Sequence, residues 1–486
     1  MRIAIRWMCL PIAVAVACGV PSEVLAQKLD GLRPVPTGGK RGTEVAVVLP
    51  GKFESWPIEI WSESPSVRWS ASETSGTVIA HIAPDAPLGM HRIRFANAGS
   101  ASSLLPWIVS DQTETIEAEP NDDYRSPQTL PSAGINVSGV LAKSGDTDHY
   151  ALAVAKGQQM TISIDAQRSL RSPMDACLQV LDTRGNVLAQ NLDAFGLDPR
   201  IHFRAPDDGR IVIRVFAFPE TPDSTIGYAG GERFAYRLQV RDGFVEEMES
   251  ALRDGAQPIG EPSDRNQPIQ ISEPGAWYGA IETSRDEDVL AIETQQPGPW
   301  TARLRAREFG SPLDGVLELL NGENASLAKQ GDSGEIRDPV LSNIMKDPGR
   351  YRIAVRDLHG NFGATFGYRL ELQHDRPSLR GTVPNDVVTG SVGQPIAIDV
   401  AIERTLECAD AASIQVVGLP DGFTSAAVTS ESGQPSATKV SLSIVAPRAC
   451  SIPIQIRIVR GAGDASTTSF AKAVNADAPY LWLVVP

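Results

Sequence analysis

Histidine and cysteine, the residues that most often ligate zinc, are scarce in this chain of 486 residues. It has six histidines and five cysteines, and no histidine is spaced with a cysteine or another histidine as in a zinc site. Glycine-rich phosphate loops are also missing from the sequence. These absences argue against a zinc enzyme and a nucleotide-binding enzyme.

Helical periodicity and long apolar runs are nearly absent as well. Short alternating segments such as 160–164 and 211–215 recur instead, and clusters drawn from 42 glycines and 36 prolines separate them. This pattern is typical of β-sandwiches, and the length is too great for one hydrophobic core. Beyond the first 26 residues, no segment is apolar enough over a sufficient length to cross a membrane. The sequence therefore predicts an all-β chain of several sandwiches.

The first residues have the pattern of an export signal. Arg2 and Arg6 precede an apolar run over 8–20, and the small-residue cleavage pattern over 24–26 predicts a signal peptide spanning 1–26. An alternative is a lipoprotein signal, in which Cys18 carries the lipid anchor. Both alternatives place the mature protein in the periplasm, at the cell surface or outside the cell.

The charge and the remaining cysteines give two further predictions. The formal net charge is −15 without a basic stripe, which argues against nucleic acid as a partner and offers carboxylates to divalent cations. An oxidising compartment favours a disulfide between Cys408 and Cys450, which lie in the same C-terminal region. Cys177 has no nearby partner and is predicted to be a half-buried thiol in place of an aliphatic residue.

The chain also contains a repeat, with copies about 140 residues apart. The first copy contains Glu119-Pro120-Asn121-Asp122, Gly139, Asp146, Asp148, Asp198-Pro199 and a closing strand over 236–240. The second contains Glu261-Pro262-Ser263-Asp264, Gly279, Asp286, Asp288, Asp338-Pro339 and a closing strand over 368–372. The order is kept while the gaps shift, as in a duplicated domain whose surface loops differ in length.

Four domains follow from this organisation. We predict an immunoglobulin-like sandwich over 28–111, the two copies over 115–242 and 257–374, and a second immunoglobulin-like sandwich over 377–486. The acidic segment 243–256 is predicted to be a linker or a short helix.

The repeated residues resemble the bacterial pre-peptidase C-terminal domain, through 119–122, Gly139, 145–150, 175–189 and 206–209. The resemblance implies jelly-roll-like sandwiches that accompany secreted proteases or belong to surface proteins and are not themselves catalytic. Collagen-binding domains of bacterial collagenases are similar modules.

In those modules a calcium ion ties an acidic segment to the sandwich, and the resemblance implies candidate ligands here. In the first copy they are Glu117, Glu119, Asn121, Asp122, Asp146 and Asp148. In the second copy the weaker set is Glu261, Asp264, Asp286 and Asp288. Calcium takes about six to eight oxygen ligands, which such clusters could largely supply. The alternative is a solvated acidic turn whose carboxylates cap backbone amides.

No linear motif indicates a catalytic site. The segment 331–334 resembles the nucleophile motif of trypsin-like proteases, but no histidine stands in a suitable upstream motif, and Ser333 is not predicted to be catalytic. The tryptophans Trp56, Trp61, Trp69, Trp277 and Trp300 could form exposed sugar-binding platforms or belong to the cores.

The sequence therefore predicts an exported, non-enzymatic protein of four modules with a binding or spacer role, stabilised by calcium. Its partner would be an extracellular polysaccharide or protein. The alternative is an accessory or catalytic component of a secreted protease system, with hydrolase activity in a terminal domain.

Overall fold

The computed structural model describes residues 29, 32–51, 53, 55–194, 196–219, 227–244, 252–260, 263–295, 298–332, 338–363, 365–461, 467–474 and 478–486. The predicted signal peptide with Cys18, the candidate ligand Glu261, Ser333 and half of the predicted linker (245–251) lie outside these residues. Within the described ranges, no helix combines the length and apolar character needed to span a membrane.

The N-terminal sandwich packs a four-stranded mixed sheet against a three-stranded antiparallel sheet. Its strands are β1 (Gly38–Lys40), β2 (Glu44–Val48), β3 (Glu59–Ser62), β4 (Val67–Ala71), β5 (Thr77–Ile82), β6 (Gly89–Ala96) and β7 (Leu105–Ser110). The sheet orders are β1-β7-β6-β3 and β2-β5-β4. Trp107 is fully buried in the core, and Trp56 and Trp69 pack against it. These tryptophans therefore belong to the core, as one of the two sequence interpretations expects.

The first copy forms two five-stranded sheets. Its strands are β8 (Thr113–Ile116), β9 (Gln128–Thr129), β10 (Ile135–Val140), β11 (Asp148–Val154), β12 (Gln159–Asp165), β13 (Asp175–Leu181), β14 (Val187–Asn191), β15 (Arg200–Arg204), β16 (Gly209–Phe218) and β17 (Ala235–Asp242). The sheet orders are β15-β12-β17-β10-β8 and β14-β13-β16-β11-β9. A short helix, α1 (Gln167–Leu170), follows β12.

The second copy repeats this topology strand for strand. Its strands are β18 (Gln257–Pro258), β19 (Ile269–Ile271), β20 (Gly275–Ala280), β21 (Asp288–Thr294), β22 (Trp300–Arg305), β23 (Gly315–Asn321), β24 (Ser326–Gln330), β25 (Val340–Ile344), β26 (Gly349–Asp357) and β27 (Gly367–His374). The orders β25-β22-β27-β20-β18 and β24-β23-β26-β21-β19 match those of the first copy position by position. Trp277 and Trp300 are buried in this core.

The C-terminal sandwich completes the all-β fold that the sequence predicts. Its strands are β28 (Ser378–Val383), β29 (Val387–Thr389), β30 (Pro395–Thr405), β31 (Ala412–Val417), β32 (Thr424–Ser425), β33 (Val428–Ser430), β34 (Lys439–Val445), β35 (Cys450–Arg460), β36 (Thr467–Phe470), β37 (Lys472–Ala473) and β38 (Leu481–Val485). The sheet orders are β32-β34-β30-β28-β37 and β29-β38-β35-β31-β33. Four β-sandwiches are thus confirmed.

The predicted disulfide is not formed. Cys177, Cys408 and Cys450 are all free thiols in the described residues. Cys450 begins strand β35, whereas the Cys408 thiol lies 3.3 Å from a guanidinium nitrogen of Arg460 at the other end of that strand. A strand of eleven residues separates its ends by roughly 33 Å, which is far beyond disulfide reach. The pairing prediction is wrong because a shared domain does not bring two cysteines to the same end of a strand.

A buried aspartate holds the same turn in each copy. Asp198 accepts hydrogen bonds from the backbone amides of Ala166, Gln167 and Arg168 at 2.8 to 3.2 Å. Asp338 accepts the equivalent three bonds, at 2.9 to 3.3 Å, around the 3₁₀ turn Arg307–Phe309. The repeated Asp-Pro pairs are thus structural, since the carboxylates satisfy amides that a helix start leaves without partners.

The first and last sandwiches touch each other, although about 290 residues separate the contacting segments. Strand β38 is buried on both faces: Leu481, Leu483 and Val485 enter their own core, while Trp482 and Val484 face the N-terminal sandwich. The receiving surface consists of Trp61, Ala96, Ala101 and, beside them, Arg94. We refer to this interface as the terminal contact.

An ion pair lies inside the terminal contact. The Arg94 guanidinium binds the Asp386 carboxylate and donates a second hydrogen bond to the Asp386 carbonyl oxygen at 3.1 Å. Both residues are buried, with 1% and 5% of their surfaces exposed. The Trp61 ring lies 4.8 Å from the Tyr480 ring and 6.3 Å from the Trp482 ring, measured between centroids. The contact thus combines an apolar patch with one buried pair of charges.

Candidate metal centre

Three carboxylates of the first copy converge where the chain enters the sandwich. One oxygen from each of Glu119, Asp146 and Asp148 lies within 4.8 Å of the others. Glu119 follows strand β8, Asp146 lies in the turn before β11, and Asp148 begins β11. The two aspartates are fully buried, whereas Glu119 is exposed. The cluster therefore joins the incoming segment of residues 117–122 to the body of the sandwich.

Glu117 is directed into the same cluster by strand pairing. Strand β8 runs parallel to β10, with Ile116 opposite Ser138. The carboxylate of Glu117, the residue after Ile116, therefore reaches the backbone amide of Val140. Both Glu117 oxygens accept from that amide at 2.9 Å. Burial, reinforced by the neighbouring Asp148 carboxylate, raises the pKa of Glu117 to about 9.

Asp148 is held by a pair of buried tyrosines. The Tyr236 hydroxyl donates to the Asp148 Oδ2 atom at 2.5 Å, and the Tyr150 hydroxyl lies 2.5 Å from the Tyr236 hydroxyl. Burial raises the pKa of Asp148 to about 7. The tyrosines fix one oxygen of this carboxylate and leave the other facing the cluster.

Asp146 has one oxygen that the protein does not satisfy. Its Oδ2 atom accepts from the Ala142 amide at 2.5 Å, while its Oδ1 atom is buried without a hydrogen-bond partner. Burial raises the pKa of this carboxyl group. A buried carboxylate oxygen without a donor is costly unless a cation lies beside it.

The Asn121 side-chain amide lies against these acids. This fully buried amide places its oxygen 3.0 Å from Asp148 Oδ1 and 3.0 Å from Glu119 Oε2. Rotating the amide by half a turn would place its nitrogen there and create two hydrogen bonds. In the orientation with the oxygen inward, Asn121 adds an oxygen to those of Glu119, Asp146 and Asp148, which lie within 4.8 Å of one another. Such a set fits a hard divalent cation.

The structure thus gathers five of the six predicted ligands of the first copy. Asp122 lies at the exposed rim of the cluster, where its Oδ2 atom is 3.4 Å from the Lys143 ammonium group. The donor set is all oxygen and includes four carboxyl groups. Such a set suits calcium, whereas zinc would favour nitrogen and sulfur.

The second copy uses its equivalent positions differently. Ile259 stands in place of Glu117, and Ser263 in place of Asn121 exchanges two hydrogen bonds with the backbone of Val289, at 2.9 and 3.1 Å. Asp264 accepts the amides of Asn266 and Gln267 at 2.6 and 2.8 Å.

The other acids of the second copy are also engaged locally. Asp286 accepts the Glu282 amide at 2.7 Å, and Asp288 accepts the Tyr368 hydroxyl at 2.5 Å. Glu261 lies outside the described residues. Among those that are described, a carboxylate cluster suited to a metal forms only in the first copy.

Sequence reasoning overlooked the residues that support the cluster. Tyr236 and Gly139 recur as Tyr368 and Gly279, and this repetition was the available signal. A Cβ atom on Gly139 would lie 2.4 Å from the Tyr236 hydroxyl oxygen and 2.8 Å from Glu117 Oε2. Glycine is therefore required at this position because the tyrosine and the glutamate occupy the space beside it.

This close approach gives a testable prediction. Gly139→Ala is expected to destabilise the first copy by about 1–3 kcal/mol, since the added methyl group must displace Tyr236 or Glu117. The change in the free energy of unfolding is measured by denaturant titration, with unfolding followed by far-ultraviolet circular dichroism. Gly227→Ala is the matched control, because a Cβ atom there meets nothing within 4 Å. Equal stabilities of the two variants would contradict this description of the site.

Two known proteases are similar in sequence to parts of this chain. No family model matches the chain. Collagenase ColA of Clostridium perfringens is 20% identical over 280 residues, covering 55% of this chain and 23% of the collagenase. A probable subtilase-type serine protease of Deinococcus radiodurans is 21% identical over 226 residues, covering 40% of this chain and 31% of the protease. The chain therefore spans about a quarter to a third of the length of these relatives.

Solved structures add two similarities. The pre-peptidase C-terminal domain of a collagenase from Bacillus anthracis matches over its whole length and 26% of this chain, with 16% identity and a TM-score of 0.19. Fibronectin(III)-like modules of CbhA from Clostridium thermocellum match over 92% of their length and 47% of this chain, with 12% identity and a TM-score of 0.15. The similarity in sequence to a collagenase agrees with the resemblance that the repeated residues indicate.

Proposed function

We propose that this protein is an exported module protein whose two repeated sandwiches are non-catalytic, and that it binds an extracellular protein or polysaccharide. We further propose that its first repeated sandwich takes up one calcium ion. The observation that carries the proposal is the cluster formed by Glu117, Glu119, Asn121, Asp146 and Asp148, in which buried carboxylate oxygens face one another. The similarity to a collagenase and to a probable subtilase-type serine protease supports a role outside the cytoplasm.

Calcium would act here as a structural clamp. Like charges within 4.8 Å repel strongly where the surroundings exclude water, and a divalent cation turns this repulsion into attraction. Because Glu117 and Glu119 belong to the incoming segment while Asp146 and Asp148 belong to the sandwich, one ion would tie the two together. The first copy would then hold its neighbouring module at a fixed orientation, as a spacer or a binding platform requires.

A co-sedimentation experiment tests the binding role. The purified chain is mixed with insoluble collagen fibres or with insoluble cellulose, in millimolar calcium or in excess chelator. We expect retention on one of the two matrices, with a loss of retention when calcium is removed, because the clamp orders the first copy. The double variant Glu119→Gln/Asp148→Asn should behave in calcium as the wild type does in chelator.

The matched control is Asp207→Asn, which alters a carboxylate of the first copy whose side chain is 80% exposed and distant from the cluster. This variant should be retained like the wild type. Failure of the wild-type protein to sediment with either matrix would contradict the binding role, while the calcium site is tested separately below.

A further inference from the structure

A second group of polar side chains, which carry a hydroxyl, an imidazole, a carboxylate and a guanidinium group, lies on one sheet of the N-terminal sandwich. Strands β2, β5 and β4 are neighbours in this order. Glu44 on β2 and Arg68 on β4 are both register partners of His81 on β5. Ser70 lies two residues beyond Arg68, and since side chains of a strand alternate, it shares the same outward face. Four polar side chains therefore meet on the solvent side of this sheet.

Their contacts form a chain from hydroxyl to imidazole to carboxylate. The Ser70 Oγ atom lies 3.0 Å from His81 Nε2, and His81 Nδ1 lies 2.9 Å from Glu44 Oε1. An ionised carboxylate only accepts, so its partner Nδ1 carries the hydrogen and Nε2 is left as the acceptor for the serine hydroxyl. This is the order of nucleophile, general base and orienting acid that hydrolases use on unrelated folds.

A cavity of about 580 Å³ opens beside the imidazole and the carboxylate of this chain of contacts. Glu44, Arg68 and His81 line it, together with Gly42, Pro65 and Pro84. The volume is sufficient for a small molecule. Arg68 also lines this cavity and carries a positive charge, of the kind that stabilises the oxygen of a tetrahedral intermediate.

We propose that Ser70, His81 and Glu44 form a nucleophilic site that hydrolyses small esters, with Arg68 beside the developing oxyanion. The Ser70 oxygen attacks the ester carbonyl carbon as its proton passes to His81 Nε2. The carbon–oxygen bond to the alcohol then breaks, and the alcohol leaves with the proton from His81. Water, deprotonated in turn by His81, hydrolyses the acyl-serine, so that ester and water give acid and alcohol and the serine is restored.

The surroundings of the site limit the substrates. The His81 side chain is 35% exposed and that of Glu44 is 74% exposed, so water weakens the electrostatic contribution of the carboxylate. A site of this kind suits esters with good leaving groups and is poorly equipped for peptide bonds. The competing explanation is that these residues only stabilise the sheet as cross-strand pairs, worth about 0.2–1 kcal/mol each.

Hydrolysis of p-nitrophenyl acetate by the full chain tests the proposal. The wild-type protein should release p-nitrophenol faster than buffer, and Ser70→Ala or His81→Ala should each lower kcat/KM on the order of 100-fold. Glu44→Gln should cause a smaller loss. Ser443→Ala, which removes an exposed strand serine of the C-terminal sandwich, should leave the rate unchanged. A rate in Ser70→Ala equal to that of the wild type would overturn the proposal.

Covalent labelling gives a result that does not depend on the folding of any variant. A fluorophosphonate probe should modify the wild-type protein at Ser70, which mass spectrometry of the peptides identifies. Modification at another residue, or none, would show that the three side chains serve only as sheet contacts. Neither result bears on the metal centre, which lies in a different sandwich.

Discussion

Replacing Arg94 by alanine is expected to destabilise the terminal contact by about 3–5 kcal/mol. The Arg94 guanidinium is almost fully buried against Asp386, with its central carbon 5.8 Å from the centroid of the Trp482 ring. The variant leaves the Asp386 carboxylate buried without its cation, and such a charge is costly in a medium that water cannot reach. The first and last sandwiches should therefore separate.

Small-angle X-ray scattering together with calorimetry measures this effect. Arg94→Ala should enlarge the radius of gyration and lower the melting temperature of the terminal sandwiches. The control is the paired replacement Arg94→Met/Asp386→Leu, which removes both charges and should recover most of the stability, since apolar pairs often replace buried ion pairs without loss. An Arg94→Ala protein with unchanged dimensions and melting behaviour would contradict the terminal contact.

Calcium is expected to reverse the stability order of the wild-type protein and the Glu119→Gln/Asp148→Asn variant. In metal-free buffer the variant should be the more stable of the two, because removing two carboxylates relieves repulsion within the cluster. In calcium at a hundred to a thousand times its Kd, the wild type should gain about 2.7–4.1 kcal/mol. The variant, lacking two charged ligands, should gain little.

Thermal unfolding of both proteins with calcium and with chelator measures this reversal. The second copy provides an internal control, since Ile259 and Ser263 replace two ligands there; the transition of that sandwich should not move with calcium. Asp207→Asn should follow the wild type in both buffers. A variant that is less stable than the wild type under both conditions would indicate that these carboxylates only cap the turn.

The fold could be predicted because its signals are local or repeated. Alternating segments and turn residues indicate sandwiches, and a repeated order of glycines and acids indicates two copies with one topology. The terminal contact was harder to foresee, although residues 481–485 are apolar without alternation. Such a run indicates a strand buried on both faces, but the sequence does not say which surface covers the second face.

The residues of the candidate metal centre could likewise be predicted only where their proximity is local in sequence. Asp146 and Asp148 lie in one motif, and they are close together because a single residue separates them in the sequence. The contribution of Glu117 depends on the parallel pairing of β8 with β10, and that of Tyr236 depends on the closing strand, nearly ninety residues later. Ser70, His81 and Glu44 come from three strands and form no linear motif, so only their register brings them together.

Calorimetric titration of the metal-free chain with calcium tests the proposed metal centre most directly. The cluster predicts one calcium ion per chain for the wild type, since the described residues assemble one suitable oxygen cage. It predicts the loss of this binding in Glu119→Gln/Asp148→Asn and its retention in Asp207→Asn. No heat of binding in the wild type, or the same binding in the double variant, would contradict the account.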